Sequence, residues 1–96
     1  MPSYKLAQLA ERDLEAIWDY SFVNWGVSKA SSYLDDLLTT FELLAEHPEM
    51  SWLRTEFIPA VRIHQHAHHL IVYLQDETDI HIVRVLHESM NVTDHL

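Results

Sequence analysis

The sequence predicts an α+β two-layer sandwich of order β-α-α-β-β-β, with a helical hairpin packed on an antiparallel sheet. Three observations carry this. Apolar residues in the first half recur at steps of three and four, the period of a helix face. The second half holds short runs rich in Val and Ile, which suit a pleated surface. The connections within each half are brief, so neighbouring elements must run antiparallel.

The elements follow in order. SYKLAQ, residues 3–8, sets Tyr4 and Leu6 against Lys5 and Gln8, the alternation of a short strand. LAERDLEAIWDYSFVNW then places Ala10, Leu14, Ile17, Trp18, Phe22 and Trp25 on one helix face. Glu11 and Asp13 fall in its first turns, where the helix dipole favours negative charge. Gly26, the only glycine, stands where a helix needs a C-terminal residue of positive φ. Ser28 is the expected cap of a second helix. Its stripe is Ala30, Tyr33, Leu34, Leu37, Leu38, Phe41, Leu44 and Ala45, and Pro48 stops it. Asp35, Asp36, Glu42 and Glu46 fall on or beside its outer face. PEMSWLRTEF reads as irregular. IPAVRIHQ, HLIVYLQ and DIHIVRVLH read as three strands of a meander, the last two joined by DET. ESMNVTDHL fits a single frayed turn.

Ninety-six residues make one domain, 1–96, whose stability is modest unless a partner adds to it. The net charge is −9, from 15 acidic and 6 basic residues. Such a chain is repelled by phosphate backbones, so direct nucleic-acid binding is not expected and a protein partner is. With no cysteine there are no disulfides and no thiolate metal sites, and the expected compartment is the cytoplasm. The N-terminal residues lack an apolar run of signal-peptide length, and no stretch approaches the roughly 18 apolar residues of a membrane span. No catalytic triad spacing, phosphate loop or metal motif is present, so no cofactor is expected.

The residues themselves carry a family likeness. The chain resembles the ParE branch of the RelE/ParE toxin superfamily, in LAERDLEAIWDYSFVNWG, YLDDLLTTFELLAEHPEM, the VR…HHLIVY arrangement and the closing IVRVLHESMNV. The last is the most specific: an apolar strand holding one arginine, then Leu-His, a short spacer and Met. The resemblance spans essentially the whole chain and implies the sandwich already derived. It also implies a toxin that inhibits DNA gyrase and blocks replication. A ParD-like antitoxin would neutralise it in a hetero-oligomer, its C-terminal segment wrapping the toxin. This chain departs from the pattern in its acidity, in Leu74 where many relatives carry a cation, and in Ala67 where glycine is frequent. The expectation is an antitoxin segment less acidic than usual, or one held mainly by apolar contacts.

Individual residues admit two readings each. His64, His66 and His68 would share a face on a straight strand and could converge on a metal. The resemblance places a turn at His66-Ala67-His68, which makes them a solvated hairpin tip, and leaves His69 beside the core. Arg84, between Val83 and Val85, needs either a carboxylate partner or a surface role, and Arg62 shares that ambiguity. The candidate target-binding residues are Arg62, Arg84, His87 and Met90. The candidate antitoxin-binding residues are Trp18, Trp25, Tyr33, Leu37 and Trp52. Core packing is the plain alternative for Trp18, Tyr33 and Leu37, and partial burial under a loop for Trp25 and Trp52.

Two rivals accompany the gyrase reading. One is a RelE-like, ribosome-dependent mRNA endonuclease using Arg62, Tyr73, Arg84 and His87. The shortage of lysine, with only Lys5 and Lys29, argues against it. The other is an inactive toxin that only binds its antitoxin.

Overall fold

The computed structural model describes residues 3–96. The chain runs β1 (Tyr4–Leu6), α1 (Gln8–Trp25), α2 (Val27–Glu46), a 3₁₀ turn (Pro48–Met50), β2 (Leu53–Arg54), β3 (Val61–His66), β4 (His69–Gln75), β5 (Ile80–His87) and α3 (Val92–His95). The five strands form one sheet of order β1-β5-β4-β3-β2. The meander β3-β4-β5 is antiparallel, as the short connections require. The sheet as a whole is mixed, because β1 pairs parallel to β5. β2 lies inside the stretch read as irregular and extends the sheet beyond β3.

The helical hairpin turns on a single residue. Gly26, at φ 88° and ψ 173°, donates its N–H to the Phe22 carbonyl and accepts from the Ala30 N–H, so it ends α1 and begins α2. That backbone region is essentially reserved for glycine. Ser28 is therefore inside α2 and caps nothing, since the helix starts one residue earlier at Val27.

α1 buries Ala10, Ile17 and Ser21, with Leu14 packed beside them. Trp18, Phe22 and Trp25 form a second stripe rotated toward solvent, and Phe22 and Trp25 are 50% and 56% exposed. The expected single face is thus two adjacent stripes, only one of them internal. From α2, Leu37, Phe41 and Leu44 are fully buried against Ile71, Tyr73, Ile80 and Ile82. The far face of the sheet carries a smaller cluster, Val61, Val72 and Leu86, covered by Phe57 and by Val92 of α3.

A β-bulge decides where Arg84 goes. Tyr73 pairs with Ile82 and Val72 with Arg84, which leaves Val83 unpaired. Strict alternation from Ile80 and Ile82 would drive Arg84 into the helix-side core. The extra residue shifts the phase, and Val85 takes the core position instead.

Candidate functional site

Arg84 is held in a closed ion pair. Its Nε and Nη2 donate to the two carboxylate oxygens of Asp13 at 2.8 and 2.9 Å, and its Nη1 donates to the His95 carbonyl at 3.0 Å. Both side chains are 15% exposed. β1 is too short to cover β5 here, and Asp13 fills the gap, accepting the Val85 N–H at 2.9 Å. Its bond to Asp13 holds the Arg84 guanidinium above its ordinary pKa. Arg84 therefore anchors α1 and α3 to the sheet, where the sequence left a carboxylate partner and a target contact as equal readings. Asp13 serves the same anchor, a job its position in the helix did not signal.

Arg62 and Tyr73 face each other across β3 and β4 on the helix side. The Tyr73 hydroxyl donates to the Pro48 carbonyl at 2.7 Å, and the side chain is fully buried, which raises its pKa. Arg62 Nη1 donates to the Ser51 carbonyl at 2.7 Å, while its Nε is buried without a partner. Both side chains pin the segment that follows α2. Tyr73, a candidate of the nuclease reading, thus has its hydroxyl engaged inside the fold. Arg84 pairs with Val72, so by register the two arginines are rooted on opposite faces.

His87 and Met90 remain at the surface. The His87 Nδ1 accepts the Ser89 N–H at 3.1 Å and is hydrogen-bonded to the Ser89 hydroxyl at 2.7 Å. The Met90 side chain is 45% exposed. His87 is opposite His69, which is opposite His66. Arg62 is four residues back along β3 and two strands away from β5, about 16 Å from His87 by strand geometry. The four residues of the nuclease reading therefore do not converge.

The histidines separate in the same way. His64 bonds the Ser51 hydroxyl, His66 the Thr40 hydroxyl and His69 the Tyr33 hydroxyl, all across the seam between the sheet and the α2 side. Only Ala67 and His68 form the turn, with Ala67 at φ 51°. His68 pairs with Glu88 at the surface. The expected solvated tip is thus one histidine, and three others are half-buried seam residues. Burial, with lesser contributions from His87, His68 and His66, pushes His69 down to about 4. Burial lowers His64 as well. Among the described residues no group of three or more His, Asp or Glu side chains has the geometry to hold a metal ion.

The antitoxin candidates also divide. Leu37 is fully buried in the core and offers no surface, which corrects that expectation. Tyr33 is packed against the core with its hydroxyl engaged by His69. Trp18 is half-buried and stacked on Phe22, with ring centroids 6.3 Å apart. Trp25 and Trp52 are open, Trp52 at 87%. They flank opposite ends of the 20-residue α2, which is about 30 Å long. Trp25 is joined by exposed Tyr20, Phe22, Val23 and Val27; near Trp52 in sequence, Met50, Leu53 and Ile58 are exposed. Sequence periodicity missed these companions, because an apolar residue in a helix or loop reads as internal.

The sheet order, the one-glycine helical hairpin and the two open apolar ends define a small two-layer α+β protein with exposed aromatic surface. The model of the ParE toxin of the type II toxin–antitoxin system parDE matches residues 4–92. Toxin ParE1 of Caulobacter vibrioides is 38% identical over 96 residues, covering 100% of this chain and 99% of that one. Toxin ParE1 of Mycobacterium tuberculosis is 34% identical over 94 residues, covering 97% and 96%. A solved structure, described as a chromosomal ParDE TA system from P. aeruginosa, superposes with a TM-score of 0.75 at 25% identity, over 91% of this chain and 96% of that one. This chain belongs to the ParE toxin family of type II toxin–antitoxin systems. No helix among the described residues is long and apolar enough to cross a membrane.

Proposed function

We propose that this ParE-family toxin stops replication by binding DNA gyrase, without bond chemistry of its own, and that a ParD-type antitoxin neutralises it. The observation that carries the first part is the commitment of three of the four candidate catalytic side chains to other tasks. Arg84 is closed on Asp13, Tyr73 is buried on the Pro48 carbonyl, and Arg62 holds Ser51. Cleavage of RNA needs a base and cations gathered around one phosphate, whereas His87 lies beside His68 and His69, with Arg62 and Arg84 engaged elsewhere. His87 and Met90, both exposed, remain candidates for gyrase contact, and Arg62 contributes only if its hold on Ser51 loosens.

The antitoxin part is supported by the exposed apolar residues at both ends of α2 and by the structural neighbour, itself described as a ParDE system. Exposed aromatics are the common anchors of protein interfaces. Purified chain, gyrase, ATP and plasmid should accumulate cleaved DNA on denaturation, and added antitoxin should suppress it. Intact plasmid together with ribosome-dependent mRNA cleavage would overturn the proposal in favour of the nuclease.

A further inference from the structure

A shallow cleft of about 570 Å³ opens at the C-terminal end of α2, lined by Leu43, Glu46, His47, Pro48, Glu49 and Met50. Its apolar side is Leu43, Pro48 and Met50, with Leu43 and Met50 43% and 47% exposed. Its rim holds the exposed carboxylates Glu46 and Glu49. Among the described residues neither carboxylate has an ion-pair partner. α2 also ends here with no basic residue in its last turn. A helix C-terminus carries partial negative charge and is stabilised by a nearby cation. Three sources of negative potential thus meet over an apolar floor, and the cleft supplies no lysine or arginine of its own. From the cleft the chain continues through Ser51 into exposed Trp52 and Leu53.

We propose that this cleft receives a lysine or arginine side chain of the antitoxin, flanked by apolar residues, which completes the α2 C-terminus. The inference rests on the antitoxin reading above. A long cationic side chain lays its methylenes on Leu43, Pro48 and Met50 and brings its charge to Glu46 and Glu49. An acidic or wholly apolar occupant would desolvate both carboxylates without replacing their water, which is costly. The choice of a cation follows from that asymmetry, and it agrees with a toxin whose net charge is −9.

The test measures the affinity of the full chain for a purified ParD-type antitoxin, at low and high salt. Glu46→Gln with Glu49→Gln should weaken binding about tenfold and flatten its salt dependence. The same loss of charge at Glu11→Gln with Glu15→Gln, exposed on α1, should change affinity less than about twofold. Substituting the partner's lysines and arginines one at a time by glutamine should expose one whose loss costs nothing further in the Glu46→Gln, Glu49→Gln background. An unchanged affinity in the Glu46→Gln, Glu49→Gln variant, or an equal effect from the α1 pair, would overturn the cleft while leaving the antitoxin reading intact. No binding by the wild-type chain would overturn both.

Discussion

Removing Asp13 should unfold this protein far below its normal melting temperature. The Asp13 carboxylate accepts three hydrogen bonds, from Arg84 Nε at 2.8 Å, Arg84 Nη2 at 2.9 Å and the Val85 N–H at 2.9 Å. Asp13→Ala leaves a guanidinium with 15% exposure uncompensated and an edge amide unpaired. Breaking a buried pair from one side costs about 3–5 kcal/mol, and the remaining exposure points to the lower end, about 3 kcal/mol. A chain of this size unfolds with an entropy near 0.2 kcal/mol/K, so Tm should fall by about 15 °C. The double variant Asp13→Leu, Arg84→Met removes both charges but still leaves the Val85 N–H unpaired, so it should recover about half of that loss, ending about 1–2 kcal/mol below wild type. Thermal unfolding followed by far-UV circular dichroism reads all three proteins. A drop of less than about 3 °C for Asp13→Ala would refute the reasoning. It would return Arg84 to the surface role that its position in an apolar strand also permitted.

Other substitutions separate fold from interface. Trp52→Ala should leave stability within about 0.5 kcal/mol yet weaken antitoxin binding by about 2 kcal/mol or more, whereas Leu37→Ala should cost about 2–5 kcal/mol of stability; urea unfolding and titration calorimetry distinguish the two. The positive-φ positions should respond in opposite directions: Gly26→Ala should destabilise by about 1–3 kcal/mol through backbone strain alone, because an added Cβ meets nothing within 4 Å, and Ala67→Gly should stabilise by about 0.5 kcal/mol. His69 is depressed from 6.5 to about 4 by burial, so the unfolded chain binds its proton first. Its contribution is present above about pH 6.5 and is lost as pH falls toward 4, and His64, shifted the same way, adds to it. The urea midpoint should therefore fall between pH 7.5 and 5, and His69→Asn should reduce that fall; a midpoint independent of pH would contradict the seam as described.

How far the sequence disclosed this structure varies with the range of the interactions involved. The α2 stripe, the meander and Gly26 were legible because a few neighbouring residues determine them. β2 was not, since two residues leave no period to detect. Nor was the bulge at Val83, which exists only in the pairing of β5 with β4. That one residue settles the Arg84 question, and it also creates the Asp13 anchor across 71 positions of sequence. Tyr73 and Leu37 look like candidates for function in a string of letters because aromatic and aliphatic residues serve cores and interfaces alike. Phe22 errs in the other direction: the α1 period counts it as internal, but it is half-exposed beside Trp18. The resemblance gives the histidine run a turn of three residues, whereas the two-residue turn at Ala67 and His68 returns His66 to β3, where it meets Thr40.

The central claim is that the chain acts on replication by contact and not on messages by cleavage. Its most direct test is pulse-labelling of DNA and protein synthesis within minutes of inducing this chain alone in a bacterium. DNA synthesis should fall early while translation continues, and co-expressed antitoxin should prevent the fall. An early fall in translation with DNA synthesis intact would contradict that claim.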